Sequence, residues 1–159
     1  MTLPLSSRRE RVVMEGIPSV EQGQEQAQLA AVAERSCVLV VEDDQQILDV
    51  IQQILQIAGF AVVGTGRADM ALGLARQARP RLVICDIMLS GDSGIEVAIR
   101  LRDSGFGEVP MLALSASELM LSFARQSGIF DACMTKPFDF DELMDTVQRL
   151  LEHGRSAAS

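Results

Sequence analysis

Between Pro80 and Gly91 the chain reads Arg81-Leu-Val-Ile-Cys-Asp86-Ile-Met-Leu-Ser90. The run Leu82 to Cys85 is short, wholly apolar and rich in β-branched residues, the mark of a strand buried on both faces. A strand of that kind belongs to a parallel sheet covered by helices on both sides. In such sheets the reactive groups stand just past the carboxyl ends of the strands, and Asp86 occupies that place.

The neighbouring sequence has to supply the remaining layers, and it does so by regular alternation. Cys37 to Val41 predicts strand one, and Ala61 to Gly64 strand two. Met111 to Leu114, after Pro110, predicts strand four, and Ala132 to Thr135 a short strand five. Helices are expected at Gln45 to Ala58, Ala68 to Ala78, Gly94 to Asp103 and Ser117 to Gln126, with Gly59 and Gly128 as stops. Asp139 with Glu142 three residues on forms a capping box for a last helix carrying Leu143, Val147, Leu150 and Leu151. Five strands alternating with five helices imply right-handed crossovers and a three-layer, doubly wound α/β fold.

Residues 1–36 read differently. Pro4, Gly16, Pro18 and Gly23 interrupt them, and only a thin apolar stripe (Leu29, Val32, Ala33) supports a helix from about Val20 to Glu34. The expected organisation is an extension over 1–36, disordered or partly helical, one domain over 37–152, and a flexible polar tail over 153–159. No apolar run is long enough to cross a bilayer, and Met1 to Arg11 lacks the apolar segment of a secretory signal. A cytoplasmic protein is expected. The net charge of -8 offers no basic field for nucleic acid. Cys37, Cys85 and Cys133 each lie in apolar runs and read as reduced, buried small hydrophobes. The single histidine, His153, reads as a surface residue.

Polar residues collect at the strand ends in a way that core packing does not require. Glu42, Asp43 and Asp44 follow strand one, Asp86 follows strand three, Ser115 and the small Ala116 follow strand four, and Lys136-Pro137 follows strand five. In a sheet of order 2-1-3-4-5 these converge on one crevice. Clustered carboxylates stay ionised only when a cation joins them, and an all-oxygen set favours Mg2+. A carboxylate can attack a phosphoryl group, and that transfer needs little beyond in-line positioning and neutralisation of the equatorial oxygens. The Lys136 ammonium and the Ser115 hydroxyl are suited to that work. Asp44 reads instead as the start of helix one, and Asp92 as a loop-surface charge.

The segments Val-Leu-Val-Val-Glu42-Asp43-Asp44, Asp86-Ile-Met-Leu-Ser-Gly-Asp-Ser-Gly94-Ile-Glu96, Val-Pro110-Met-Leu-Ala-Leu-Ser115-Ala116 and Thr135-Lys136-Pro137-Phe138 occur in this order over Cys37 to about Leu151. Together they resemble the receiver domain of bacterial two-component response regulators, a CheY-like, flavodoxin-like (βα)5 fold. The resemblance implies Asp86 as phosphoacceptor, Asp43 as a direct Mg2+ ligand, Glu42 as its water-mediated partner and the Met88 carbonyl as a backbone ligand. It implies Ser115 as the switch hydroxyl, Lys136 as the phosphate-binding lysine, and a cis bond between Lys136 and Pro137. The implied partners are a histidine kinase or phosphotransfer protein and a downstream protein target, with a homodimer through the helix four–strand five–helix five face also open. Only a polar tail follows the last helix, so a stand-alone receiver without output domain is expected, catalysing no more than its own phosphorylation and dephosphorylation.

Three departures mark this chain. The family's aromatic residue three positions before the lysine is Cys133 here, which leaves output through that face open. The proline common in the loop after the phosphoacceptor is Ser90, a mild change. Met88 and Ser117 hold positions that tune hydrolysis in the family, and neither orients water with a charge or an amide, which implies a long-lived phosphorylated form. Helix four carries Leu119, Met120, Leu121 and Phe123; either these residues fill the core, or some of Leu121 and Met120 is exposed on a surface suited to partner docking. Two other readings stand beside the first. One is a phosphorylation-independent interaction module on the same fold. The other is an aspartyl-phosphate phosphatase, which requires a second acid two residues after the nucleophile, where this chain has Met88.

Overall fold

Strand side chains alternate between faces, so an all-apolar strand has to feed two cores at once. In the computed structural model, which describes residues 36–155, β1 (Cys37–Val41) does this. Val38 and Val40 enter one cluster, with Leu48, Ile51 and Leu55 of α1 (Gln45–Ile57) and Leu143 and Val147 of α5 (Phe140–His153). Leu39 and Val41 enter the other, with Ala71 and Ala75 of α2 (Ala68–Ala78), Val97 and Ala98 of α3 (Gly94–Leu101), and Leu121 and Ala124 of α4 (Glu118–Ser127). Each fully buried Leu or Ile contributes roughly 1.5–3 kcal/mol, so the two cores hold the sheet from both sides.

The five strands are parallel and run in the order β2-β1-β3-β4-β5, with β2 at Ala61–Thr65, β3 at Leu82–Asp86, β4 at Met111–Ser115 and β5 at Ala132–Thr135. This is the expected flavodoxin-like architecture. Strands β2, β3 and β4 each run one residue further than the apolar pattern, because Thr65, Asp86 and Ser115 continue the ladder.

Local chemistry sets the helix ends. Asp44 caps α1, its carboxylate accepting from the Gln46 and Ile47 amides. Asp139 and Glu142 form the reciprocal capping box of α5. Helix α3 is shorter than expected. Its α-helical part stops at Leu101 and passes into a π-type turn, Arg102–Phe106, in which Gly105 takes φ 106°.

For α4 the core alternative holds at Leu121, and two other expectations change. Leu121 is fully buried and Met120 partly so, whereas Leu119 (69% exposed) and Phe123 (56%) carry the free apolar surface of α4. Four apolar residues in five leave the helical phase ambiguous, and the sheet selects Leu121 with Ala124, three apart. Of the three free cysteines only Cys85 is buried; Cys37 and Cys133 are half-buried, at the start of β1 and on the edge strand β5. Helix α5 reaches His153, and Arg155, expected in a flexible tail, donates to the carbonyls of Gly107 and Gly128. The expected helix over Val20 to Glu34 lies outside the described residues. No helix among the described residues is long and apolar enough to cross a membrane.

Candidate functional site

The site is assembled by chain direction. All five strands point their carboxyl ends to one rim, and the crossovers bring residues from distant parts of the sequence to it. Glu42 follows β1 directly, its amide donating to the Thr65 carbonyl at 3.0 Å, so its side chain is held at the sheet edge rather than in solvent. Asp86 is the last residue of β3 and pairs with Leu114 of β4, which puts Ser115 one step beyond it on the next strand. Lys136 follows β5, and its amide donates to the Ser115 carbonyl at 2.9 Å. The Lys136–Pro137 bond is cis, as the resemblance implies.

Lys136 Nζ donates to Glu42 Oε2 at 2.6 Å and to Asp86 Oδ2 at 2.8 Å, joining the ends of β1, β3 and β5. Glu42 and Asp86 are 1% and 5% exposed. The other Glu42 oxygen accepts the Asp44 amide at 3.1 Å, and Asp86 Oδ1 accepts the Met88 amide at 3.0 Å. Asp43 points to the rim, where Ser90 donates twice to its Oδ2, from the backbone amide at 2.7 Å and the hydroxyl at 2.5 Å. Glu42, Asp43 and Asp86 each offer an oxygen lying within 4.8 Å of the others. Ser115 is buried, and its hydroxyl oxygen accepts the Ser117 amide at 3.0 Å.

The electrostatics follow from three acids and one ammonium. Burial, followed by repulsion from Asp86, pushes the Glu42 carboxyl up to about 7, against the opposing pull of Lys136 and the Asp44 amide. The Ser90 hydroxyl, chiefly, holds Asp43 below the usual carboxylate range. Burial alone would lower Lys136, but its bonds to Asp86 and Glu42 outweigh that and raise it. One ammonium cannot neutralise three carboxylates. The unbalanced charge and the oxygen-only donors of Glu42, Asp43 and Asp86 fit a hard divalent cation of the Mg2+ type.

The rim also contains parts that sequence reasoning missed. After Asp86 the chain makes a small antiparallel ribbon, Met88–Leu89 against Asp92–Ser93, closed by Ser90 and Gly91. Gly94 then folds back under β3, its amide donating to the Ile87 carbonyl at 2.7 Å. A Cβ on Gly94 would lie 1.9 Å from the Asp86 carbonyl oxygen, so only glycine permits this return. Asp92 is exposed on the ribbon, as expected. Met88 is 57% exposed and places a thioether where a phosphatase of the aspartyl-phosphate type would need an acid.

The sequence profile of the response regulator receiver domain matches residues 38–148. The chain belongs to the response regulator receiver family. Receiver domains act in two-component signalling, where they interact with histidine kinases or phosphotransfer proteins. They are signalling domains rather than enzymes in the ordinary sense, and they bind Mg2+ at an acidic site such as the one formed by Glu42, Asp43 and Asp86. This receiver is 37% identical over 116 residues to an uncharacterized transcriptional regulatory protein, YbdJ, of Bacillus subtilis, an alignment covering 73% of this chain and 51% of that protein. It is 33% identical over 117 residues to the DNA-binding response regulator MtrA of Mycolicibacterium smegmatis, covering 74% and 51%. The chain thus spans about half the length of the curated relatives it matches. Among solved structures, the chemotaxis protein CheY4 of Vibrio cholerae superposes with TM-score 0.68 at 27% identity, covering 73% of this receiver and 98% of that chain.

Proposed function

We propose that this receiver accepts a phosphoryl group on Asp86 from a histidine kinase or phosphotransfer protein, and that the phosphorylated form signals through a protein partner. The observation that carries this reading is the Lys136 ammonium bonded at once to Glu42 and Asp86. It marks the point where a dianionic group would find compensating charge. An Asp86 carboxylate oxygen attacks phosphorus as the bond to the donor's imidazole nitrogen breaks, and the imidazole leaves with the electron pair. Lys136 then pairs with a phosphoryl oxygen in place of a carboxylate. The Ser115 hydroxyl, at the end of the adjacent strand, donates to another and so carries the change into β4. Bound Mg2+, held by Asp43, Asp86 and the Met88 carbonyl with Glu42 nearby, would supply the remaining neutralising charge.

Cys133 favours a second reading, a phosphorylation-independent interaction module. Its half-buried thiol lies 4.0 Å from the Leu121 carbonyl and has no ring to swing. Intact mass after incubation with acetyl phosphate separates the two. The first reading expects a Mg2+-dependent gain of one phosphoryl group in the wild type and none in Asp86→Asn. An unmodified wild type with Mg2+ present would leave the second.

A further inference from the structure

We infer that Ser90 is a positioning residue for Asp43, fixing the carboxylate that receives the cation; the inference rests on reading the crevice as a Mg2+ site. Asp43 and Ser90 are 47 residues apart in sequence and come from different crossovers. Both hydrogen-bonding groups of Ser90 converge on a single oxygen, Oδ2. A charged acceptor makes such bonds short and strong, and the 2.5 Å hydroxyl contact is of that kind. With one oxygen held by two donors, the carboxylate cannot rotate freely, and its other oxygen remains for a cation.

The donor is itself held in place. Leu89 pairs with Asp92, so the loop at Ser90 and Gly91 is a two-residue turn of a ribbon, not a loose connection. Gly91 adopts φ 75°, the sign that the second central residue of a type II turn requires. Behind it, the Gly94 amide ties the ribbon to the Ile87 carbonyl. The Met88 amide, two residues before Ser90, holds Asp86 in the same manner. In an extended segment, amides two residues apart point to the same edge at a spacing of about 7 Å. One short segment therefore carries two amides at a set separation, one on each of the two carboxylates that would hold the ion. The Ser90 hydroxyl adds a second restraint on the more exposed of them.

Preorganisation of this sort acts on affinity, since an unrestrained carboxylate has to be ordered when the ion binds. Isothermal titration of the full-length chain with Mg2+ tests it. Ser90→Ala removes the hydroxyl and keeps the amide; Ser90→Pro removes both donors at a turn position that suits proline; Ser90→Thr keeps both. The Mg2+ Kd is expected to rise about threefold in Ser90→Ala and about tenfold in Ser90→Pro, and to stay near wild type in Ser90→Thr. The Mg2+ concentration for half-maximal phosphorylation by acetyl phosphate is expected to rise by the same factors. Urea unfolding in EDTA separates this from a general loss of fold, because only a positioning role moves Kd while the metal-free midpoint holds. Wild-type Kd in both Ser90→Ala and Ser90→Pro overturns the inference and leaves the Mg2+ reading standing. A loss in Ser90→Thr as large as in Ser90→Ala also overturns it. A wild type that binds no Mg2+ overturns both.

Discussion

The sheet has a buried charge cluster at each end, and the two are balanced in opposite ways. At the carboxyl end, Lys136 alone among the described residues faces Glu42 and Asp86, with Asp43 at the rim. At the amino end, Asp131 is ion-paired with two cations. Arg102 Nη2 lies 3.1 Å from its Oδ2, and Arg155 Nε 3.4 Å from its Oδ1. The surplus positive charge there is absorbed by main-chain carbonyls: Arg102 donates to Ile129, Gly107 and Val109, and Arg155 to Gly107 and Gly128. Asp131 also accepts the Met111 amide at 2.8 Å. The lower cluster thus ties the starts of β4 and β5 to the π-type turn and to the chain after α5. The upper one keeps unneutralised negative charge. Burial costs both clusters solvation, but only the upper one is left able to take up another cation.

The largest expected effect lies at the lower end. Asp131→Ala leaves two guanidiniums without their countercharge and the Met111 amide without its acceptor, and breaking a buried pair in this way costs about 3–5 kcal/mol. Urea unfolding in EDTA checks the size, and the loss is expected to be the same with Mg2+ present. At the upper end, Lys136→Met removes the only ammonium from Glu42 and Asp86. The expected loss is smaller, roughly 1–3 kcal/mol, because Glu42 can take up a proton instead of standing as an unpaired ion. Here Mg2+ is expected to restore most of the stability, since a cation replaces a cation. A Lys136→Met protein indifferent to Mg2+ would erase the distinction between the two ends.

The contrast also explains what could be read before the fold was known. Apolar runs such as Leu82–Cys85 announce strands because both their faces are buried, and the acids after β1 and β3 stand out because nothing in a core requires them. Helix caps at Asp44 and Asp139 are local, so their signal lies within a few residues. The lower cluster has no local signal: Arg102 and Asp131 are 29 residues apart, and each alone resembles an ordinary surface charge. Ser90 reads in the sequence only as a mild change from the common proline, since its partner is on another crossover and the ribbon that presents it has strands of only two residues. The exposed side of α4 stays open in the sequence because its phase is set by contact with the sheet, not by its composition.

A last effect comes from a proton. Burial, the main cause, moves the Glu42 carboxyl from 4.5 up to about 7, so the folded chain keeps a proton that the unfolded chain has released. The stability contributed by that proton is complete below pH 4.5 and is lost as pH rises through about 7. Other groups titrate in the same range, so the measurement is a difference between wild type and Glu42→Gln, followed by urea unfolding in EDTA across pH 4–8. Wild type is expected to lose stability relative to Glu42→Gln between pH 4.5 and about 7 and to run parallel to it above that. Saturating Mg2+ stabilises the ionised carboxylate and is expected to flatten the difference. A flat difference already present in EDTA would mean that Lys136 meets the full cost of burying Glu42. The upper cluster would then be balanced like the lower one.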